Sequence, residues 1–339
     1  MVFWKQQIRS TMLLILKLLI SGLLIWWLIR TNKLDFGALE KLWNMPNIMA
    51  YNVFFWLGGG VLLCALRWHS LVCGMGFELS KFQAIRLNLI GIFFNTIMPG
   101  VVGGDVIKAI YVCKGQAKQA KVPVLLTILL DRIVGLIALF SLSFVAILFN
   151  WSTIYHYPVL HPFIGLIFLI ILGLSSFFLL VLLPTKTKEN IGFLRWIYKL
   201  IFKISILQKI YHAIRTYKDK PRFVIQAICF AMIHQAFFLG LFFIVTASFA
   251  EAPVKIGLFA TIIPLGIVTT AFPLAPGGLG IGHVAFEKLF SLIALDHGAN
   301  IFNIVFFGQM TLNLLGAIPY LFIRNELAPL MKTARENSI

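Results

Sequence analysis

Long apolar runs separated by short polar stretches dominate this chain. They fall at Met12–Ile29, Ile48–Leu66, Val122–Phe149, Val159–Leu183, Phe223–Phe249 and Asn300–Ile323. Each is close to or above the roughly 20 residues a helix needs to cross a hydrocarbon core. We read them as six transmembrane helices. Two further apolar segments are interrupted. Phe82–Met98 runs into PGVVGGD (Pro99–Asp105) and then the short stretch Val106–Val112. Val254–Phe272 runs into PLAPGGLG (Pro273–Gly280) and then Ile281–Leu295. Pro and clustered Gly break helices. Irregular backbone at membrane depth is tolerated only where protein buries it or a cavity receives it. The pattern predicts two re-entrant helical hairpins with tips near the membrane midplane.

The order of elements repeats. Residues 1–150 read span, span, hairpin, span, and residues 151–339 read the same with every direction reversed. The predicted fold is a single all-α integral membrane domain with about six full spans and two oppositely oriented hairpins in an inverted repeat. Such repeats, with broken helices meeting at the midplane, are common in transporters. Between the halves, residues 190–220 carry Phe193, Ile197, Leu200, Ile204, Leu207, Tyr211 and Ile214 at helical spacing, with Arg195, Lys199, Lys203 and Lys209 off that stripe. This predicts a basic amphipathic helix at the cytoplasmic surface.

Charge orients the layout. Arg67, Lys81 and Arg86 precede the first hairpin, and Lys108, Lys114, Lys118 and Lys121 follow it. The loop 150–158 has no Lys or Arg, whereas 185–222 is strongly basic. By the positive-inside rule both chain ends are cytoplasmic. The first hairpin then enters from the cytoplasm and the second from outside. Lys5 and Arg9 lead the first apolar run, but no A-x-A-like cleavage site follows, so it reads as an uncleaved span.

Composition agrees. The chain is 60% hydrophobic and only 12% charged, with a formal net charge of +17. The basic residues flank membrane spans, which argues against a nucleic-acid partner and for anionic lipid headgroups. The four cysteines form no metal or redox motif, and no cofactor fingerprint is present.

Candidate chemistry gathers at the breaks. Pro99, Gly103 and Gly104 let backbone N–H groups approach an anion at a helix start. Asp105 follows, open to capping that helix, to pairing with Lys108 or Arg132, or to touching substrate. Asp131 and Arg132 lie in the first third of an apolar span, where ionisable residues are costly, with an interfacial position and a snorkelling Arg132 as the other reading. Pro276, Gly277, Gly278 and Gly280 form the second break. His283 and Glu287 follow on one helix face, a weak metal pair and a better polar lining. Asn95 joins Asn88, His234, Gln235, Gln309 and Asn313 in suggesting a polar interior.

The strings NTIMPGVVGGDVIKA, Asp131–Arg132 and FPLAPGGLGIGH, in this order, resemble the flippase-like transmembrane region of lysylphosphatidylglycerol synthases and its stand-alone relatives. The resemblance covers nearly the whole chain. It implies a role in moving lipids between leaflets, with Pro99, Gly103, Gly104, Asp105, Arg132, Pro276, Gly277, Gly278 and Gly280 matching the family pattern. The chain departs from that pattern at Val101, Lys108 and His283. The aminoacyl-transferase domain is expected to be absent. The expected function is a lipid translocase, not an enzyme, of the bacterial inner membrane, acting on an anionic, aminoacylated or polyprenyl-phosphate-linked lipid. A membrane transferase, a non-catalytic partner of a lipid-modifying enzyme, and homo-oligomerisation stay open.

Overall fold

The computed structural model describes residues 45–97, 103–113, 121–182, 203–250, 253–270 and 280–323, with Trp26 and Arg30. Every regular element among them is helical. The longer ones, in chain order, are α1 Pro46–Gly74, α2 Lys81–Ile97, α3 Gly103–Val112, α4 Lys121–Phe149 and α5 His161–Leu182. They continue with α6 Ser205–Thr216, α7 Pro221–Phe249, α8 Ile256–Thr270, α9 Ile281–Ser291 and α10 Gly298–Ile323. Among the described residues five helices are long and apolar enough to cross a membrane, namely α1, α4, α5, α7 and α10. They match the expected spans two to six, and the protein is an all-α membrane protein. The first span, Met12–Ile29, lies outside the described residues except for Trp26.

Lipid accounts for the outer surface. Phe149, Leu169 and Phe322 are 86%, 63% and 81% exposed in the bare bundle, a surface that water would not tolerate on this scale. Few residues of α5 are buried, with Leu166, Phe168, Leu169 and Leu172 exposed, so this helix is peripheral. The interior is packed by aromatic rings, among them Phe242, Phe286 and Phe290, each buried.

The second span is longer than its apolar run. α1 continues past Leu66 to Gly74 because Arg67, which the sequence places among the flanking charges, is neutralised inside the bundle. Its Nε and Nη2 donate to the two carboxylate oxygens of Asp131 at 2.6 and 2.9 Å. α1 is also irregular. Trp56–Leu63 (WLGGGVLL) is π-helical, a local widening that recurs at functional sites.

The two interrupted segments each form a packed pair, α2 against α3 and α8 against α9. Contacts fix their entry. Gly74, at the end of α1, abuts Tyr217 and Phe223, just before and at the start of α7. Trp68 donates to Thr127 near the start of α4. The first pair therefore starts at the end of the bundle where α4 and α7 begin. Gly257, at the start of α8, lies against Asn150 and Ile154, where α4 has finished. The second pair starts at the opposite end. Each leading arm packs on the last span of the other half. α2 meets α10 through Gly316 and Leu89, and α8 meets α4 through a Ser143 to Ala260 carbonyl bond.

Only part of the expected amphipathic segment 190–220 is described. α6 buries Tyr211, a residue of the expected apolar stripe, while Lys203 and His212 are exposed. Tyr217 then donates to the Leu71 carbonyl at 2.6 Å, and burial pushes its phenol above the usual range. This bond ties the connector to the end of α1.

Candidate functional site

The first break is built by close backbone approach. α2 and α3 touch at Gly91 and Gly104, where a Cβ on Gly104 would run into the Gly91 backbone. No side chain fits there. The Gly104 N–H is received by Asn95 Oδ1 at 2.8 Å, which satisfies one of the donors that a helix start leaves over. Residues 98–102, including Pro99, lie outside the described residues.

Charge follows the glycines. Asp105 pairs with Arg132 of α4, whose Nε donates at 3.0 Å. Of the two pairings open from the sequence, Asp105 takes Arg132 and not Lys108. Arg132 stands about 15 Å along α4 from Val122, in a helix about 42 Å long. The pair thus sets the start of α3 about a third of the way along that span. Asp131 points the other way, to Arg67. The two ionisable neighbours on α4 serve different helices.

Lys108 has no carboxylate among the described residues. It is 7% exposed, donates to Asn88 Oδ1 at 3.0 Å, and sits 5.3 Å from the Trp68 ring centroid. Asn88 in turn donates to the carbonyls of Gly60 and Val61 at 2.9 and 3.1 Å. Those carbonyls belong to the π-helical part of α1. Ammonium, amide and bulge therefore form one chain across three elements. A buried ammonium served only by neutral groups is poorly compensated. Arg67 and Asn88 carry this arrangement together with the expected residues. Asn88 was visible as a polar residue in an apolar run, while Arg67 had no signal beyond its place at a run's edge.

The second break is different in kind. Gly280 has φ of 82°, a left-handed geometry that glycine adopts without Cβ strain. Its N–H is received by His283 Nδ1 at 3.3 Å. His283 is 1% exposed, with Nε2 at 3.5 Å from Asn303 Oδ1 and its ring edge-on to Phe302. Glu287 receives the Ala299 N–H at 3.1 Å, at the start of α10, where a carboxylate is favoured. The two side chains thus serve different partners. Among the described residues no cluster of three His, Cys, Asp or Glu could hold a metal. Pro276, Gly277 and Gly278 lie outside the described residues.

Comparison with known proteins fits this architecture. A UPF0104 membrane protein of Pyrococcus horikoshii is 28% identical over 206 residues, which are 60% of this chain and 56% of that protein. The chain thus spans little more than half of that relative. The family model for the lysylphosphatidylglycerol synthase transmembrane region matches residues 14–312. That match covers most of the spans and both breaks, and the chain belongs to the lysylphosphatidylglycerol synthase transmembrane-region family.

Proposed function

We propose that this protein is a lipid translocase that carries an anionic headgroup, phosphate-bearing by chemistry, between the leaflets of a bacterial inner membrane. Both termini face the cytoplasm in this reading, since Lys81, Lys203, Lys218, Lys220 and Arg222 cluster at the end where α2 and α7 begin. The two broken pairs act as re-entrant hairpins.

One observation carries the reading, the buried ammonium of Lys108. Asp105 answers Arg132 and Asp131 answers Arg67, which among the described residues leaves Lys108 without a carboxylate beside a glycine break inside the span. In a low-dielectric wall that ammonium attracts an anion strongly. Backbone N–H groups at the break add to the attraction. The acyl chains would stay in lipid outside the bundle.

A transferase would need a converging acid and base. Asp105 is held by Arg132, Glu287 serves the start of α10, and His283 is buried against Asn303, so the three residues do not converge. This favours transport.

The test is leaflet exposure in proteoliposomes. Fluorescent phosphatidylglycerol in the inner leaflet should reach an outside quencher faster with wild-type protein than in empty vesicles. Lys108→Gln should cut that gain about tenfold, the loss of about 1.4 kcal/mol from one charge-assisted contact. Equal rates for wild-type and empty vesicles would sink the proposal.

A further inference from the structure

Three of the four side-chain amides on α10, Asn303, Gln309 and Asn313, reach α9, α1 and α2 between them. Asn303 faces His283 of α9, three residues after Gly280. Gln309 donates to Asn52 Oδ1 of α1 at 2.6 Å. Asn313 accepts from Trp56 Nε1 at 2.9 Å and donates to Thr96 Oγ1 at 3.1 Å. Thr96 is next to the last residue of α2 before the first break. The amide edge of one helix therefore runs from the second break to the first.

Amides that merely hold helices together usually end up satisfied. Here two do not. Among the described residues Asn52 Nδ2 and Asn303 Nδ2 have no hydrogen-bond partner, although the residues are 2% and 0% exposed. Both leftover groups are N–H donors. The Asn52 amide also lies flat over Gly308, where any side chain would strike it. A phosphate diester offers only acceptor oxygens, which matches unspent donors. Neutral donors also let an anion leave, whereas a fixed cation would hold it.

We propose that this edge is a passage site for the headgroup, in which Asn52 and Asn303 donate to the non-bridging oxygens of a phosphate diester travelling between the two breaks. The proposal rests on the translocase reading and adds to it a second, uncharged site. It also makes an unusual demand on stability. Replacing both partners of a buried hydrogen bond by apolar groups is nearly neutral, so Asn52→Leu combined with Gln309→Leu should melt near the wild-type temperature, as should Asn303→Leu, whose oxygen meets His283 Nε2 only at 3.5 Å.

The experiment measures melting and transport on the same preparations. In proteoliposomes with fluorescent phosphatidylglycerol, each variant is expected to translocate at least about tenfold more slowly than wild type. Melting should stay near wild type, and phosphatidylglycerol be retained in native mass spectrometry through Lys108. Wild-type rates in both variants would overturn the proposal while leaving the translocase intact. So would slower transport accompanied by a matching fall in melting temperature, because the amides would then be structural. If the wild-type protein itself moves no lipid, the translocase reading falls and the passage site with it.

Discussion

The two broken helix pairs share a plan but differ in content. At the first, glycine contact sets Asp105, Lys108 and Arg132 inside the bundle, about a third of the way along α4, with Arg67 and Asp131 behind them. At the second, Gly280, His283 and Glu287 spend their hydrogen bonds on nearby backbone and on Asn303, inside a shell of phenylalanines. The first pair carries charge and the second is packed by apolar rings. In the translocase reading the first binds the anion and the second supports it.

The largest expected effect comes from the tightest contact. Gly104→Leu drives a side chain into the Gly91 backbone, which a packed interface cannot absorb. Translocation should fall to the background of empty vesicles, and the α2–α3 amides should lose protection in hydrogen exchange. Retained protection with full transport would show that the first break does not depend on that approach.

Next is the ion pair behind the break. Asp131→Asn leaves Arg67 buried without its carboxylate and should destabilise by about 3–5 kcal/mol. The double change Arg67→Met with Asp131→Met should restore most of that stability in the same melting experiment. A single variant as stable as wild type would mean that the pair is solvated and not an internal strut.

Smaller effects belong to the second break. Gly280→Ala places a Cβ at φ of 82° and should cost about 1–2 kcal/mol, with anion preference unchanged. Glu287→Gln weakens the charge at the start of α10 and should cost about 0.5–1 kcal/mol. If either one altered lipid preference more than stability, the assignment of the second pair as support would fail.

What the sequence made legible follows from what hydropathy measures. Runs of apolar residues locate spans, and clustered Gly and Pro locate breaks, so the five described spans and both pairs were readable. Asp105 and Arg132 were readable as candidates because charge in an apolar run is rare. Averages along a chain say nothing about which side chains face each other, however. Arg67 looked like a boundary because a single charge ending an apolar run usually is one. Its partner, Asp131, lies 64 positions away. The π-helical turn was hidden because WLGGGVLL is apolar throughout and has no periodicity to distort. Asn52 and Gln309 meet across 257 positions, a pairing that local spacing cannot suggest. His283 and Glu287 share a face, as their spacing implies, but their bonds go to separate partners on α10 and its neighbour.

The contrast between the two breaks reduces to where an anionic lipid is held. Native mass spectrometry can measure that directly, by titrating the purified protein with phosphatidylglycerol and phosphatidylcholine in parallel. Wild-type protein and Glu287→Gln should both prefer the anionic lipid, and Lys108→Gln should bind the two alike. A preference that survives loss of Lys108, or that disappears with loss of Glu287, would contradict the account.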